Sequence, residues 1–148
     1  MSSDGVARLL VFRVGNERFA VELAAVDEVI ETPALQPVPD SSPMLLGIAR
    51  VRGEFVAIYD LRPILRGGDG AIGGALLFAR DGRMIGLAID DVYDAMFVEQ
   101  QELRPAPGVD GSDGLVLGLV RRGSDLIAVL DADALLAAVR MDTEGQRV

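Results

Sequence analysis

The chain has 148 residues, half of them hydrophobic and 25% charged, with 14 Lys and Arg against 23 Asp and Glu, a formal net charge of −9. This is the length of one ordinary domain and the composition of a folded one, and its acidity opposes a phosphate backbone, which argues against nucleic acid as a partner. Cysteine and histidine are both absent, removing disulfides, thiolate sites, the commonest metal ligand and the commonest general base; we expect no catalytic residue, no cofactor and no metal.

The opening segment, MSSDGVARLL, lacks the basic start and apolar core of a signal peptide. No apolar run approaches the ~20 residues that cross a bilayer. The expectation is a cytoplasmic protein without direct membrane insertion. From there the chain alternates short runs rich in Val, Ile, Leu and Phe with Gly, Asp, Asn or Pro, a strand-and-turn pattern. Strands are expected at Leu9–Val14, Arg18–Leu23, Val26–Glu31, Gly47–Val51 and Glu54–Tyr59. A glycine-rich loop, RGGDGAIGG (66–74), follows and reads as a mobile linker. Its glycines resemble a phosphate loop, but no GK[ST] follows. Further strands are expected at Ala75–Ala79, Met84–Ile89, Val92–Val98, Val116–Arg121 and Leu126–Leu130. Tight turns fall at Asn16-Glu17, Arg52-Gly53, Asp81-Gly82 and Gly123-Ser124. Helices are few: Asp131 is a good N-cap for DADALLAAVR, whose Leu135, Leu136 and Val139 form an apolar stripe, and Asp60 should start a shorter turn. The tail 141–148 reads as frayed.

The chain also repeats itself. Residues 9–29 align without gaps to 75–95, pairing Phe12 with Phe78 and Val26 with Val92; residues 47–65 align likewise to 118–136, pairing Gly47 with Gly118, Arg50 with Arg121 and Asp60 with Asp131. Two similar halves, about 8–65 and 75–140, therefore form a single domain spanning 8–140. Each half, at about 65 residues, is marginal for a core of its own. Runs without alternation such as LIAVL (126–130) suggest strands covered on both faces, in two small closed β-barrels.

A residue that recurs in both halves is expected to serve the barrel, and one that does not is freer for a specific task. Arg50 and Arg121 recur and read as strand arginines lying over their neighbours. Arg52 meets Gly123 in the repeat and Glu28 meets Asp94, so Arg52 is the stronger candidate. The paired acids Asp90-Asp91 point to opposite faces of a strand and so do not suggest acid–base work.

At this point the sequence resembles the CheW-like coupling domains of bacterial chemosensory systems. LLVFRVGNERFAVELAAVDEVIE is similar to the family's opening strand pair and its V-x-E-V/I segment. GIARVRGEFVAIYDLR is similar to its G-V-x-N-L-R-G-x-I-x-P-V-x-D-L-R signature, and IGLAIDDVYDA with LRPAP continues the pattern. The resemblance implies a mainly all-β fold of two intertwined five-stranded β-barrel subdomains, with short helices including a C-terminal one. It implies a non-catalytic adaptor that binds the cytoplasmic tip of chemoreceptors and the regulatory domain of a CheA-type histidine kinase. Ring assembly with other CheW-like domains, beside membrane receptor arrays, belongs to the same implication. Carried over by position, the family's RG arginine falls on Arg52, with Gly53 after it, and its V-x-E glutamate on Glu28. The two are expected to pair near a groove between the barrels, where Val26, Val29 and Val92 offer apolar contacts to an amphipathic helical face. The family's asparagine is Arg50 here and its proline Ala57, so partner choice at this edge is open. The alternatives are a divergent scaffold of a motility or pilus pathway that binds one partner only, and a small-ligand-binding β-barrel.

Overall fold

The computed structural model describes residues 5–31, 34–39, 43–65, 70–105 and 114–145, with the backbone alone over 140–145. The first half of the chain supplies β1 (Val6–Val14), β2 (Glu17–Glu22), β3 (Glu28–Glu31), β4 (Leu35–Gln36), β5 (Leu45–Val51), β6 (Glu54–Asp60) and the single turn α1 (Arg62–Leu65). The second half supplies β7 (Gly74–Arg80), β8 (Arg83–Ile89), β9 (Asp91–Glu99), β10 (Val116–Arg122), β11 (Asp125–Leu130) and α2 (Ala132–Gly145). Short 3-10 turns occupy Leu23–Ala25 and Gln100–Glu102.

The fold is mainly β, and the strands make two sheets, ordered β10-β11-β2-β1-β9 and β3-β7-β8-β6-β5-β4. Under the repeat β1 corresponds to β7, β2 to β8, β3 to β9, β5 to β10 and β6 to β11. The first sheet then maps onto β5-β6-β8-β7-β3, which is the second without its edge strand β4. Even the parallel pairs correspond: Ala128↔Phe19 between β11 and β2, and Ala57↔Ile85 between β6 and β8. Each sheet thus takes its β1–β2 or β7–β8 hairpin from the opposite half of the chain, which is how the two subdomains intertwine.

Three apolar clusters result. Odd positions of β1, Leu9 and Val11, enter the interior of the first sheet with Ala20, Val98, Val120, Ile127 and Val129. Even positions, Leu10, Phe12 and Val14, enter a central core shared with Leu76, Phe78, Leu87, Ile89 and the α2 residues Leu135, Leu136 and Val139. On β7, Ala75 and Leu77 turn into the second sheet with Val56 and Ile58, while Leu76 and Phe78 face the center. Both hairpins are therefore apolar on both faces, the reason their runs show little alternation.

The expected closed barrels are open at the backbone level. Among the described residues no ladder joins β9 to β10 or β3 to β5; side chains bridge those gaps instead. Arg122 of β10 donates to the Phe97 carbonyl of β9 at 2.6 Å and pairs with Glu102 at 3.0 Å. The other gap is spanned by the ion pair described below.

Gly47 and Gly118, paired by the repeat, sit at matching register shifts in β5 and β10. A Cβ would stand 2.7 Å from the Gln36 carbonyl oxygen at the first and 2.6 Å from that of Arg104 at the second, so both permit the same close backbone approach. Strand β4, only two residues long, was not legible: it lies between Pro33 and Pro37 and is too short to show a period. The turn expected at Asn16-Glu17 falls one residue earlier, at Gly15-Asn16, since Gly15 takes the left-handed φ of 63°.

The linker reading applies in part to positions outside the described residues, 66–69. Its remainder is packed rather than slack: a Cβ on Gly70 would lie 1.7 Å from Asp90 Oδ2, and one on Gly73 2.1 Å from the Asp90 carbonyl oxygen. Asp131 caps α2 as expected, its Oδ1 accepting the Ala134 N–H at 3.1 Å, and the helix backbone continues to Gly145, beyond Met141. Asp60 instead closes a local turn, accepting the Arg62 N–H at 3.0 Å. Asp131→Ala is expected to lose about 0.5–2 kcal/mol in urea unfolding, with a smaller loss for Asp60→Ala, since α1 is only one turn long; equal losses would contradict the distinction.

Candidate interaction surface

The surface is built around β3, a four-residue edge strand. Alternation sends Glu28 and Ile30 to the side of the second sheet's interior, and Val29 and Glu31 to the other face. Glu28 stands opposite Leu77 of that interior, and Val29 opposite Leu76 of the central core.

Arg52 reaches Glu28 from the β5–β6 turn. Its NH1 donates to Oε2 and its NH2 to Oε1, a bidentate pair. Since β7, β8 and β6 lie between β3 and β5 in the sheet, the pair ties together the two sides of a curled sheet. The turn is made by Arg52 and Gly53 with φ of 47° and 82°, both left-handed, as two-residue hairpins of this type require. Among the described residues only Arg52 and Asp81 take positive φ without being glycine. Asp tolerates that conformation through local hydrogen bonds, whereas a long side chain has no such help. An arginine kept where asparagine or glycine would fit better is an observation that points to function.

The pair is solvent-exposed: the side chains are 67% and 28% accessible. Its contribution to stability is therefore small and salt-screened. Its effect on protonation is directional. The hydrogen bonds from Arg52, and then its charge, hold Glu28 below the ordinary carboxylate value of 4.5 despite partial desolvation; Glu28 raises Arg52 further in return. The pair's contribution is full above the unfolded carboxylate value and is lost as pH falls through the lowered one. A carbon-detected NMR titration should place Glu28 below 4.5, and Arg52→Gln should move it up; equal midpoints would contradict the pairing.

On the other face of β3, Val29 is 39% exposed. With Val92 of β9 it lines a groove of about 360 Å³ between the two sheets, whose lining also includes Ile30, Ile89, Gly73 and Gly74. Val26 is half-buried against the central core and does not line this groove. The expected site residues therefore form two neighboring features: Glu28, Arg52 and Gly53 at the sheet rim, and Val29 with Val92 in the groove. They do not form one continuous patch, because adjacent strand residues face opposite ways.

Sequence reading missed Phe55, 75% exposed, and Leu126, 59% exposed. The repeat makes them equivalent, and each stands opposite a recurring arginine in register, Arg50 and Arg121. The Arg50 guanidinium lies 5.8 Å from the Phe55 ring centroid, so this arginine does lie over its neighbor. The signal was present in the alternation of β6: Val56 and Ile58 point inward, which places Phe55 outward.

This arrangement defines a class: an intertwined two-sheet β domain that offers exposed rims and an open groove. Among the described residues no three His, Cys, Asp or Glu converge as metal ligands would, and no helix is long and apolar enough to cross a membrane. Residues 8–140 match the CheW-like domain family, and the chain belongs to that family, whose members are adaptor domains coupling chemotaxis proteins. It is 25% identical over 145 residues to "Chemotaxis protein CheW" of Treponema pallidum, covering 92% of this chain and 85% of that protein. It is 29% identical over 135 residues to "Protein FrzA" of Myxococcus xanthus, covering 87% and 84%. The crystal structure of the scaffolding protein TtCheW from Thermoanaerobacter tengcongensis has the same fold, with a TM-score of 0.71 at 20% identity over 84% of this chain and 88% of that one.

Proposed function

We propose that this chain is a non-catalytic adaptor joining the cytoplasmic tip of a chemoreceptor to the regulatory domain of a CheA-type histidine kinase, in the cytoplasm beside receptor arrays. The observation that carries this reading is the bidentate Arg52–Glu28 pair, held at a turn whose conformation disfavors arginine and set on the other face of β3 from the groove that Val29 and Val92 line. A fixed charge pair on one face of β3 and apolar valines on the other give orientation and specificity to a transient contact without a large buried area.

The equivalent exposed residues Phe55 and Leu126 give each sheet a similar exposed apolar side chain. A second CheW-like domain on each of these two sites would extend a ring or chain, which supports the array reading. The departures at Arg50 and Ala57 lie beside Phe55, on strands β5 and β6, and favor a second reading in which one of the two partners is no longer bound. Calorimetry with a cognate receptor tip and, separately, with the kinase regulatory domain tests both. Micromolar binding to each is the expected result; binding to one alone selects the second reading, and binding to neither overturns the proposal.

A further inference from the structure

A cavity of about 240 Å³ opens at the seam of the first sheet, where no ladder joins β9 to β10 among the described residues. Its walls are apolar: Leu9, Val98 and Val129 line it from the interior cluster of that sheet, and Leu103 packs against the same cluster. Leu117 of β10 also lines it and is 53% exposed. The repeat sets Leu117 against Leu46, which is half-buried against the interior of the second sheet. The difference has a structural source. Strand β4 pairs with β5 in the second sheet, whereas β10 meets only a single bridge, Arg104↔Leu119, at the corresponding place. The first sheet thus leaves uncovered a leucine that its counterpart covers.

Four carboxylates edge the cavity, those of Glu22, Glu99, Asp131 and Asp133, and among the described residues no Lys or Arg lines it. Asp133 has a cation of its own, Arg80 at 3.2 Å. Glu99 Oε2 accepts from the neutral Gln101 amide at 2.6 Å, and Asp131 Oδ1 from the Ala134 N–H at 3.1 Å; neither bond offsets the charge. The start of α2 favors an anion, but Asp131 and Asp133 already stand there. A second anion would meet like charge, and a cation would not.

We propose that this cavity binds a primary aliphatic amine, its chain against Leu9, Val98, Leu117 and Val129 and its ammonium beside Glu99 and Asp131. An apolar hollow with a few polar groups at its edge is the form of a small-molecule site. An apolar cavity of about 150 Å³ accommodates the six carbons of benzene, so this one has room for a chain of about eight. The site is separate from the groove of Val29 and Val92, since Val98 and Val92 lie toward opposite ends of β9. It is a second binding function, independent of the adaptor reading.

Octylamine and octanoate, which share a chain and differ in charge, test this by NMR titration of the isotope-labelled full chain. Octylamine is expected to give saturable shifts at the amides of Leu103, Leu117 and Val129, with octanoate binding about fivefold more weakly or worse. Glu99→Gln/Asp131→Asn keeps the hydrogen bonds, since asparagine caps as well as aspartate, and should bring the two affinities together. Ala7→Leu and Ala25→Leu, at two further lining positions, each fill the cavity and should abolish the shifts; the same spectra show whether each variant folds. Absence of saturable shifts in the native chain at about 10 mM octylamine, or shifts that persist in a folded filling variant, would overturn the site. Equal binding of octylamine and octanoate to the native chain would overturn the amine as its ligand. An amine preference unchanged in Glu99→Gln/Asp131→Asn would trace it to the net charge of −9 and overturn the proposal as well.

Discussion

Phe12→Ala and Phe78→Ala are each expected to cost about 3–5 kcal/mol, a large share of the ~5–15 kcal/mol that stabilizes a domain. Both rings are fully buried in the central core, at positions the repeat makes equivalent. Phe12 lies on β1 and Phe78 on β7, in the two hairpins that cross into the opposite half. Truncating either leaves a cavity where the sheets meet, so the damage is shared by both. Urea unfolding followed by circular dichroism should show a single transition, moved to lower urea by a similar amount in the two variants. Two separate transitions, one per sequence half, would contradict the intertwined topology.

Arg52→Glu is expected to weaken partner binding about tenfold or more while leaving the fold intact. The new carboxylate stands against Glu28 and reverses an exposed charge at the rim, where stability depends little on it. Arg52→Asn separates the two roles of this position more cleanly. Asn-Gly is the preferred pair for a turn with two left-handed residues, so this variant should melt at the same temperature or higher while binding is still lost. A strained residue kept at the cost of stability is the pattern of a functional site. Loss of folding in Arg52→Asn, or unchanged affinity with a stable fold, would show that the arginine serves the hairpin alone.

Much of this was legible in the chain because its strands are short, apolar and bounded by residues that make turns. Arg52-Gly53 and Asp81-Gly82 were readable as hairpin turns, and Asp131 as a cap, since each requires a particular residue type at one place. The repeat identified Gly47 with Gly118 and Phe12 with Phe78 before any geometry was known. It could not reveal the hairpin exchange, because a repeat says which segments are equivalent and not which copy each segment packs against. Gly73 and Gly74 looked like slack for a related reason: glycine marks both flexible chain and close backbone approach, and only the neighboring carbonyls of Asp90 and Ile30 distinguish them. The separation of Glu28 from Val29 followed from strand alternation alone. The resemblance to the family grouped them by sequence proximity, and the strand set them on opposite faces.

The central claim is that one small domain bridges two partners. Its most direct test is co-sedimentation of the kinase with receptor-bearing membranes as a function of added chain. The kinase is expected to move to the pellet only when the chain is present, and to remain in the supernatant with Arg52→Glu. A kinase distribution that does not change on adding the folded chain would contradict the account.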